Sequence, residues 1–510
     1  MMDAFRTLRR PAARAVSALL LAAPLSAQAP AAPMPTQAPA REPVGPTITL
    51  EETVDRALGN GPSARAARSA RDAARWRERG FSAGLMPRLS FAGTLPSYRR
   101  AITPIVQPDG TIRYLSQRLT QSSAELRLEQ PIAFTGGNVF VSSALERADI
   151  TGNASGSRLW QSTPFTIGIE QSLFRPNNIA WNSREQDLQL TVAERAYVEA
   201  REDASAAAVT AFFDLYAAQM NLANAETNAA VNDSLFLLSK GRFEVGRIGE
   251  NDLLQSELAL LRARASADEA RLARDRARSA LNLLIGAPAD APVAVAPPAG
   301  APALVAPDPD RAVAEAKRNS ARPVELELQE VRAERALRTA RLENGFGMTV
   351  RASYGYNQTA PIFNGAYQSL LNQQTANVGV EMPLVQWRAG KAAVEAARAE
   401  QDRVETQTRL ARANQEQDAR FSALQVAQAA RQLALAAKAD TVGEKRFDIA
   451  KNRYIIGRIA ISDLFIAQSE KDAARTASIQ ALRQYWLAYY RLRRLTLFDF
   501  ATNAPLRPDA

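Results

Sequence analysis

Arg242-Phe243-Glu244-Val245-Gly246-Arg247-Ile248-Gly249-Glu250-Asn251-Asp252-Leu253 returns 211 residues later as Arg453-Tyr454-Ile455-Ile456-Gly457-Arg458-Ile459-Ala460-Ile461-Ser462-Asp463-Leu464. Six of the twelve positions are identical, and the second position is aromatic both times. The same offset aligns Glu170-Gln171-Ser172-Leu173 with Glu381-Met382-Pro383-Leu384. Further upstream Ala57-x-x-Asn60 aligns with Ala316-x-x-Asn319 at an offset of 259, so the first copy carries 48 extra residues between Phe91 and Glu170. A register held over this distance marks an internal duplication, which decides the fold before any single motif does.

Each copy has one layout. A short helix (about 50–59, then 309–319) leads into a second (62–83, then 321–344), an alternating region, and a very long helix from about Asn178 to Lys240 or from Arg388 to Asn452. Val209, Phe213, Tyr216, Met220 and Ala223 follow the 4-3-4-3 spacing of a coiled-coil seam. Gly246 and Gly457 stand where a helix closes on a left-handed residue. Asp252 then reads as the cap of a return helix, with Gln255 three residues on, and Leu254, Leu258, Leu261, Ala265 and Leu272 form that helix's seam. Each unit is expected to be a long antiparallel helical hairpin.

Before each hairpin the period changes from helical to twofold. Leu89 and Phe91, Leu126 and Leu128, Val139 and Val141, and Phe165, Ile167 and Ile169 alternate with polar residues. In the second copy Val350, Ala352, Tyr354 and Tyr356, then Val378, Val380 and Met382, do the same. Runs of this length suit strands of a membrane barrel, and they suit a soluble half-buried sheet equally well. Two other features favour the barrel. Arg6, Arg9 and Arg10, the apolar stretch Ala15 to Ala23 and Ser26-Ala27-Gln28-Ala29 describe an export signal. No window offers about 18 unbroken apolar residues, so a chain entering a membrane must do so as closed strands.

Composition removes much of enzymology. The 510 residues include no cysteine and no histidine, which excludes disulfides, thiol nucleophiles, imidazole metal sites and Ser-His-Asp chemistry. No phosphate loop, zinc-protease helix, EF-hand or nucleophile elbow is present, and no cofactor is expected. The net charge of +10 comes from 63 basic and 53 acidic residues. Pairs such as Arg195–Glu199 and Arg271–Asp275 describe solvated helix faces, so the charge does not argue for nucleic acid.

The export signal, the two hairpins, the two sets of strands and the R-[FY]-x-x-G-x-I-x-x-x-D-L turns together resemble the TolC family of outer-membrane efflux and secretion channels over about residues 48–500. The run Trp486-Leu487-Ala488-Tyr489-Tyr490-Arg491-Leu492 adds to the resemblance. It implies a mainly α chain with a membrane β-barrel portion: duplicated helical hairpins forming an α-helical tunnel, and strands contributed to a trimeric β-barrel in outer-membrane lipid. Its partners would be a periplasmic adaptor (membrane fusion) protein and an inner-membrane transporter, with the helical portion in the periplasm. The expected organisation is a signal peptide 1–29, a Pro/Ala-rich linker 30–47, repeat 1 at 48–286 (strands about 88–173, tip about 241–252), a linker 287–307, repeat 2 at 308–500 (strands about 347–384, tip about 453–463) and a tail 501–510.

By the same resemblance the turns are periplasmic tips. Gly246, Arg247, Ile248, Gly457, Arg458 and Ile459 are the candidate adaptor contacts, with arginine in both copies where the family has an apolar residue. Asp252, Tyr454, Arg458 and Asp463 are the candidate gate; Ile459 occupies the family's gate-arginine position and Ile466 that of a second pore aspartate. Helix N-capping is an alternative role for Asp252 and Asp463. Against a family norm of four strands per chain, the 48-residue insertion is expected to add one strand hairpin, in the barrel wall or projecting from it. The competing reading is a periplasmic adaptor or another structural coiled-coil protein.

Overall fold

The computed structural model describes residues 45–106, 109–151, 156–297, 307–456 and 458–507. The expected signal peptide and most of its linker lie outside them, as does Gly457. In chain order the main elements are helices α1 (Leu50–Asn60) and α2 (Pro62–Gly84), strands β2 (Arg88–Val106), β3 (Ile112–Ile132), β4 (Gly137–Thr151) and β5 (Gly156–Leu173), then helices α3 (Asn178–Glu244) and α4 (Glu250–Leu284). The second half repeats the pattern with α5 (Pro309–Asn319), α6 (Arg322–Glu343), β7 (Gly347–Ala360), β8 (Leu371–Glu381), α7 (Ala389–Ile455) and α8 (Ile461–Thr496). Short pairs complete it: β1 (Thr47–Ile48) with β6 (Ala294–Val295), and β9 (Phe498–Asp499) with β10 (Ala504–Pro505).

Six strands form one antiparallel sheet in the order β2-β3-β4-β5-β7-β8. Four come from the first copy and two from the second, and β3–β4 is the hairpin without a counterpart. The insertion therefore joins the sheet itself. β2 and β3 are also the longest strands, 19 and 21 residues. β3 pairs with β4 only from Arg118 onward, so the β2–β3 hairpin extends past the rest of the sheet.

Register sorts the side chains by face, because residues paired across a ladder lie on the same side. One row reads Leu89, Leu128, Val141, Ile167, Tyr354. The row on the other side reads Asn138, Glu170, Arg351, Asn377. On the polar face charges pair off: Arg127 with Glu129 at 2.5 Å, Arg88 with Glu129 at 2.9 Å and Arg351 with Glu170 at 2.6 Å. Gly168 leaves space on this face for the Phe140 ring, which a Cβ would meet at 2.4 Å. The apolar face is bare, with Leu89 and Phe91 each 68% exposed and Val378 63%.

The long helices form a layer of four that changes membership along its length. Near the sheet, α3 packs against α2 and α6, and α6 against α7. Ion pairs tie this half: Arg75–Glu194 at 3.2 Å, Arg335–Glu185 at 2.8 Å and Arg412–Glu330 at 2.8 Å. Toward the tips the order becomes α4, α3, α8, α7. At ~1.5 Å per residue, the 67 residues of α3 and of α7 each span about 100 Å.

The two halves meet at an equatorial core. Phe212, Phe213 and Leu215 of α3, Leu281 of α4, Val426 of α7, and Tyr485 and Leu492 of α8 are all fully buried there. The stretches expected to be plain linkers contribute to it. Thr47–Ile48 pairs in parallel with Ala294–Val295, Ile48 is buried, and Val295 donates its N–H to Gln219 Oε1 at 3.2 Å. Proline content hid this pairing because the strands are only two residues long.

At the edge of the core Arg493 meets Glu202 at 3.0 Å and Asp499 at 3.6 Å, and Tyr489 donates to Asp499 Oδ1 at 2.6 Å. Burial pushes both tyrosine phenols up, Tyr490 to about 12. It pushes the Glu202 carboxyl up as well, with Arg493 opposing. Burial acts the same way on Asp499, but the bonds from Tyr489 and the Ala501 N–H, with Arg493 nearby, hold its carboxyl below the usual range. A depressed carboxyl stabilises the fold above its unfolded pKa, and that contribution is lost as pH falls through the folded value. Asp499→Asn should therefore lower the melting temperature by about 2 °C at pH 7. The gap to wild type should narrow as pH falls below about 4; a gap that widens in acid contradicts this assignment.

Candidate functional site

The two hairpin turns share one backbone bond. α3 ends with Val245 as cap, Gly246 takes φ +70°, and Arg247 N–H reaches back to Arg242 O at 2.8 Å while Gly246 N–H bonds Phe243 O at 2.9 Å. This is a Schellman closure, in which a left-handed residue lets two N–H groups satisfy the last carbonyls of the helix. In the second copy Arg458 N–H makes the equivalent bond to Arg453 O at 2.9 Å. The closure places Arg247 and Arg458 outward, and both are exposed, whereas Ile248 and Ile459 are half-buried.

The return helices correct one sequence expectation. α4 starts at Glu250 behind Gly249, and α8 at Ile461 behind Ala460, with no side-chain cap on either. Asp252 and Asp463 are thus not N-caps. They sit in the first turn, exposed, where a carboxylate interacts favourably with the helix dipole. Among the described residues, no ion pair or side-chain hydrogen bond within the chain engages Asp252, Arg458 or Asp463.

Tyr454 lies apart from these three. Its ring is buried in a second apolar cluster with Leu235 of α3, Phe447 of α7 and Leu464 of α8, flanked by Val231, Ile459 and Phe465. The Arg242 guanidinium lies 5.6 Å from its ring centroid and Lys471 Nζ 4.5 Å from that of Phe447. The cluster joins one hairpin to the other. A polar interlock lies farther along the hairpins, with Asn224 and Asn228 of α3 donating to the two carboxylate oxygens of Asp472 on α8 at 2.7 and 2.9 Å. Sequence reading missed this clamp. Its signal was an i,i+4 asparagine pair in an alanine-rich helix, whose distant partner a local pattern cannot name.

A further correction concerns the α4 seam. Leu254, Leu258, Leu261 and Leu272, expected to pack inside the hairpin, are all at least 46% exposed, and Ala265 is exposed too. Small or differently placed residues are buried instead: Ser256, Leu260, Ala267 and Leu281. On the opposite edge Leu435, Val442, Ile449 and Ile456 repeat every seven residues along α7 and its cap, and all are exposed. Each edge of the helical layer thus carries a stripe at coiled-coil spacing that no described residue of the chain covers. The sheet has the same property, with β2 and β8 unpaired on their outer sides.

No protein-family model matches this sequence, and no curated protein matches it. Solved structures match along most of its length. A membrane protein from Pseudomonas aeruginosa is 17% identical, with a TM-score of 0.63 over 88% of this chain and 90% of its own. The outer membrane protein VceC from Vibrio cholerae is 14% identical, with a TM-score of 0.62 over 90% and 97%. The Campylobacter jejuni CmeC outer membrane channel is 16% identical, with a TM-score of 0.60 over 90% and 87%. The fold is therefore that of the TolC-like outer-membrane channels, as the sequence resemblance implied, with an open sheet in the single chain.

Asp472→Ala removes a carboxylate that accepts two side-chain bonds across the hairpins. Hydrogen bonds to charged groups contribute about 1.5–3 kcal/mol, so amide exchange near 220–232 and 468–476 should accelerate about tenfold to a hundredfold while the equatorial core stays protected. Uniform acceleration through the chain would mean that the clamp is not a local interlock.

Proposed function

We propose that this protein is the outer-membrane exit duct of a tripartite efflux or type I secretion system. The observation that carries the proposal is the unsatisfied pair of edges: β2 and α4 on the first copy, β8 and α7 on the second. Joining unlike edges of successive copies is a head-to-tail contact, and such a contact generates a ring when the rotation closes. Three copies, the number the family resemblance implies, give eighteen strands and a tunnel wall of twelve helices at any height.

In the ring the apolar face of the sheet meets lipid and the polar face lines water. Among the described residues no helix is long and apolar enough to cross a membrane, so the strands carry the span. Phe134, Phe174 and Trp387, all strongly exposed where sheet meets helices, supply an aromatic girdle for the periplasmic interface. The helices then extend into the periplasm. Arg247 and Arg458, exposed at the two turns, with Ile248 and Ile459 beside them, are the surface offered to a periplasmic adaptor, whose inner-membrane transporter supplies the energy.

Closure at rest resides at the tips. Tyr454 holds α7 and α8 against α3 through the apolar cluster, and Asp472 holds α8 through Asn224 and Asn228. Among the described residues, the side chains of Asp252, Arg458 and Asp463 have no partner and are available to neighbouring copies. Opening slides one hairpin past the other, breaks both contacts, and is favoured by whatever binds the open state more tightly. The protein acts as a passive conduit.

Planar-bilayer recording of the full chain tests this reading. Wild type should give rare, small openings, and Asp472→Ala combined with Leu464→Asp should raise the conductance several-fold. Absence of conductance from both proteins would contradict a gated duct.

A further inference from the structure

A cluster of arginines interrupts the outer face of the sheet, which is largely apolar below it and apolar again above it on the projecting β2–β3 hairpin, at Ile102, Val106, Ile112 and Tyr114. Along β5 it carries Ile169, Ile167, Phe165 and Trp160, broken by Ser162, which is buried and donates to Ala366 O; the span is a rise of about 30 Å that becomes about 23 Å at a tilt near 40°. This matches the ~25 Å apolar band of an outer-membrane barrel. Above it, ladder register puts Arg147 beside Trp160, Asp149 beside Arg158, and Arg100 directly opposite Arg118, all on that face.

These arginines are not equally satisfied. Arg147 and Arg158 share Asp149, each at 2.7 Å, and the Arg147 guanidinium lies 5.4 Å from the Trp160 ring centroid with its Nε buried and unbonded. Arg100 and Arg118 are exposed, and among the described residues no carboxylate pairs with either. Like charges directly opposite across a ladder destabilise it. Asp149 is the one carboxylate at outer-face strand positions of β2 to β5 at this height, leaving four arginines against one acid. Ring closure brings no relief, because the strand next to β2 would be a neighbour's β8, whose one acid, Glu381, lies at the helix end bound to Arg175.

We infer that this patch, on the outer face just above the apolar band, binds the phosphate of a membrane lipid headgroup. The inference rests on the membrane reading above and names a ligand for its distal interface. Guanidinium forks suit phosphate bidentately, and the tryptophan beneath them occupies the interfacial depth where acyl chain gives way to headgroup. A phosphate there neutralises the Arg100–Arg118 pair, which no carboxylate among the described residues does.

The test uses full-length protein extracted in detergent and titrated with phosphatidate by native mass spectrometry. Phosphatidylcholine is the zwitterionic comparison and glycerol 3-phosphate the soluble one. Wild type should bind phosphatidate more tightly than phosphatidylcholine, and glycerol 3-phosphate at equal concentration should not displace it. The Arg100→Gln, Arg118→Gln pair should bind phosphatidate roughly 30-fold more weakly, each basic residue beside an anionic headgroup contributing about fivefold. The Arg100→Lys, Arg118→Lys pair should stay within a few-fold of wild type. Equal affinity in the glutamine pair, or displacement by glycerol 3-phosphate, overturns the lipid assignment. Flotation with pure phosphatidylcholine vesicles separates the two levels. If all variants float, the membrane reading stands whatever the phosphatidate result; if wild type fails to float, both readings fall.

Discussion

Backbone N–H and C=O groups at the edge of a sheet have to find partners, and in hydrocarbon they cannot find water. That constraint governs this chain. Its six-stranded sheet is bare on one face, paired in charge on the other, and open along β2 and β8. A soluble protein would cover such a face with helices, yet every long helix here leads away from the sheet into a separate layer. In the proposed ring, further copies would satisfy the edges and lipid the face.

The helical layer obeys the same rule in another currency. Its edges α4 and α7 carry leucine, valine and isoleucine stripes that a single chain leaves in water, while α3 and α8 in the middle are buried on both sides. The duplication makes this possible: each copy supplies a hairpin, and the two hairpins are held by the Tyr454 cluster and the Asp472 clamp rather than by covalent continuity near the tips. Contacts of that size can be broken locally, whereas the equatorial core around Phe212 and Phe213 is fully buried and fixed.

Much of this was legible in the sequence because its signals are local and periodic. Helix bounds, the alternating strands and the turn closed by Gly246 follow from spacing, and the 211-residue offset supplies their order. Partnership across space was not legible. The seam Leu254, Leu258, Leu261 was read from its spacing, which does not say which chain fills it, and within one chain it is exposed. Asp252 and Asp463 fit a capping pattern, but the helices begin two residues earlier behind Gly249 and Ala460. Asp472, with partners 248 and 244 residues away, carries no local mark of them.

The central claim is that this chain completes itself only as a ring in a membrane. The most direct measurement is the mass of the particle extracted by detergent from carbonate-washed outer membranes. The account predicts a discrete assembly of three copies that stays with the membrane until detergent is added. A single chain of 55.4 kDa released by carbonate into the soluble fraction would contradict it and favour a periplasmic coiled-coil protein.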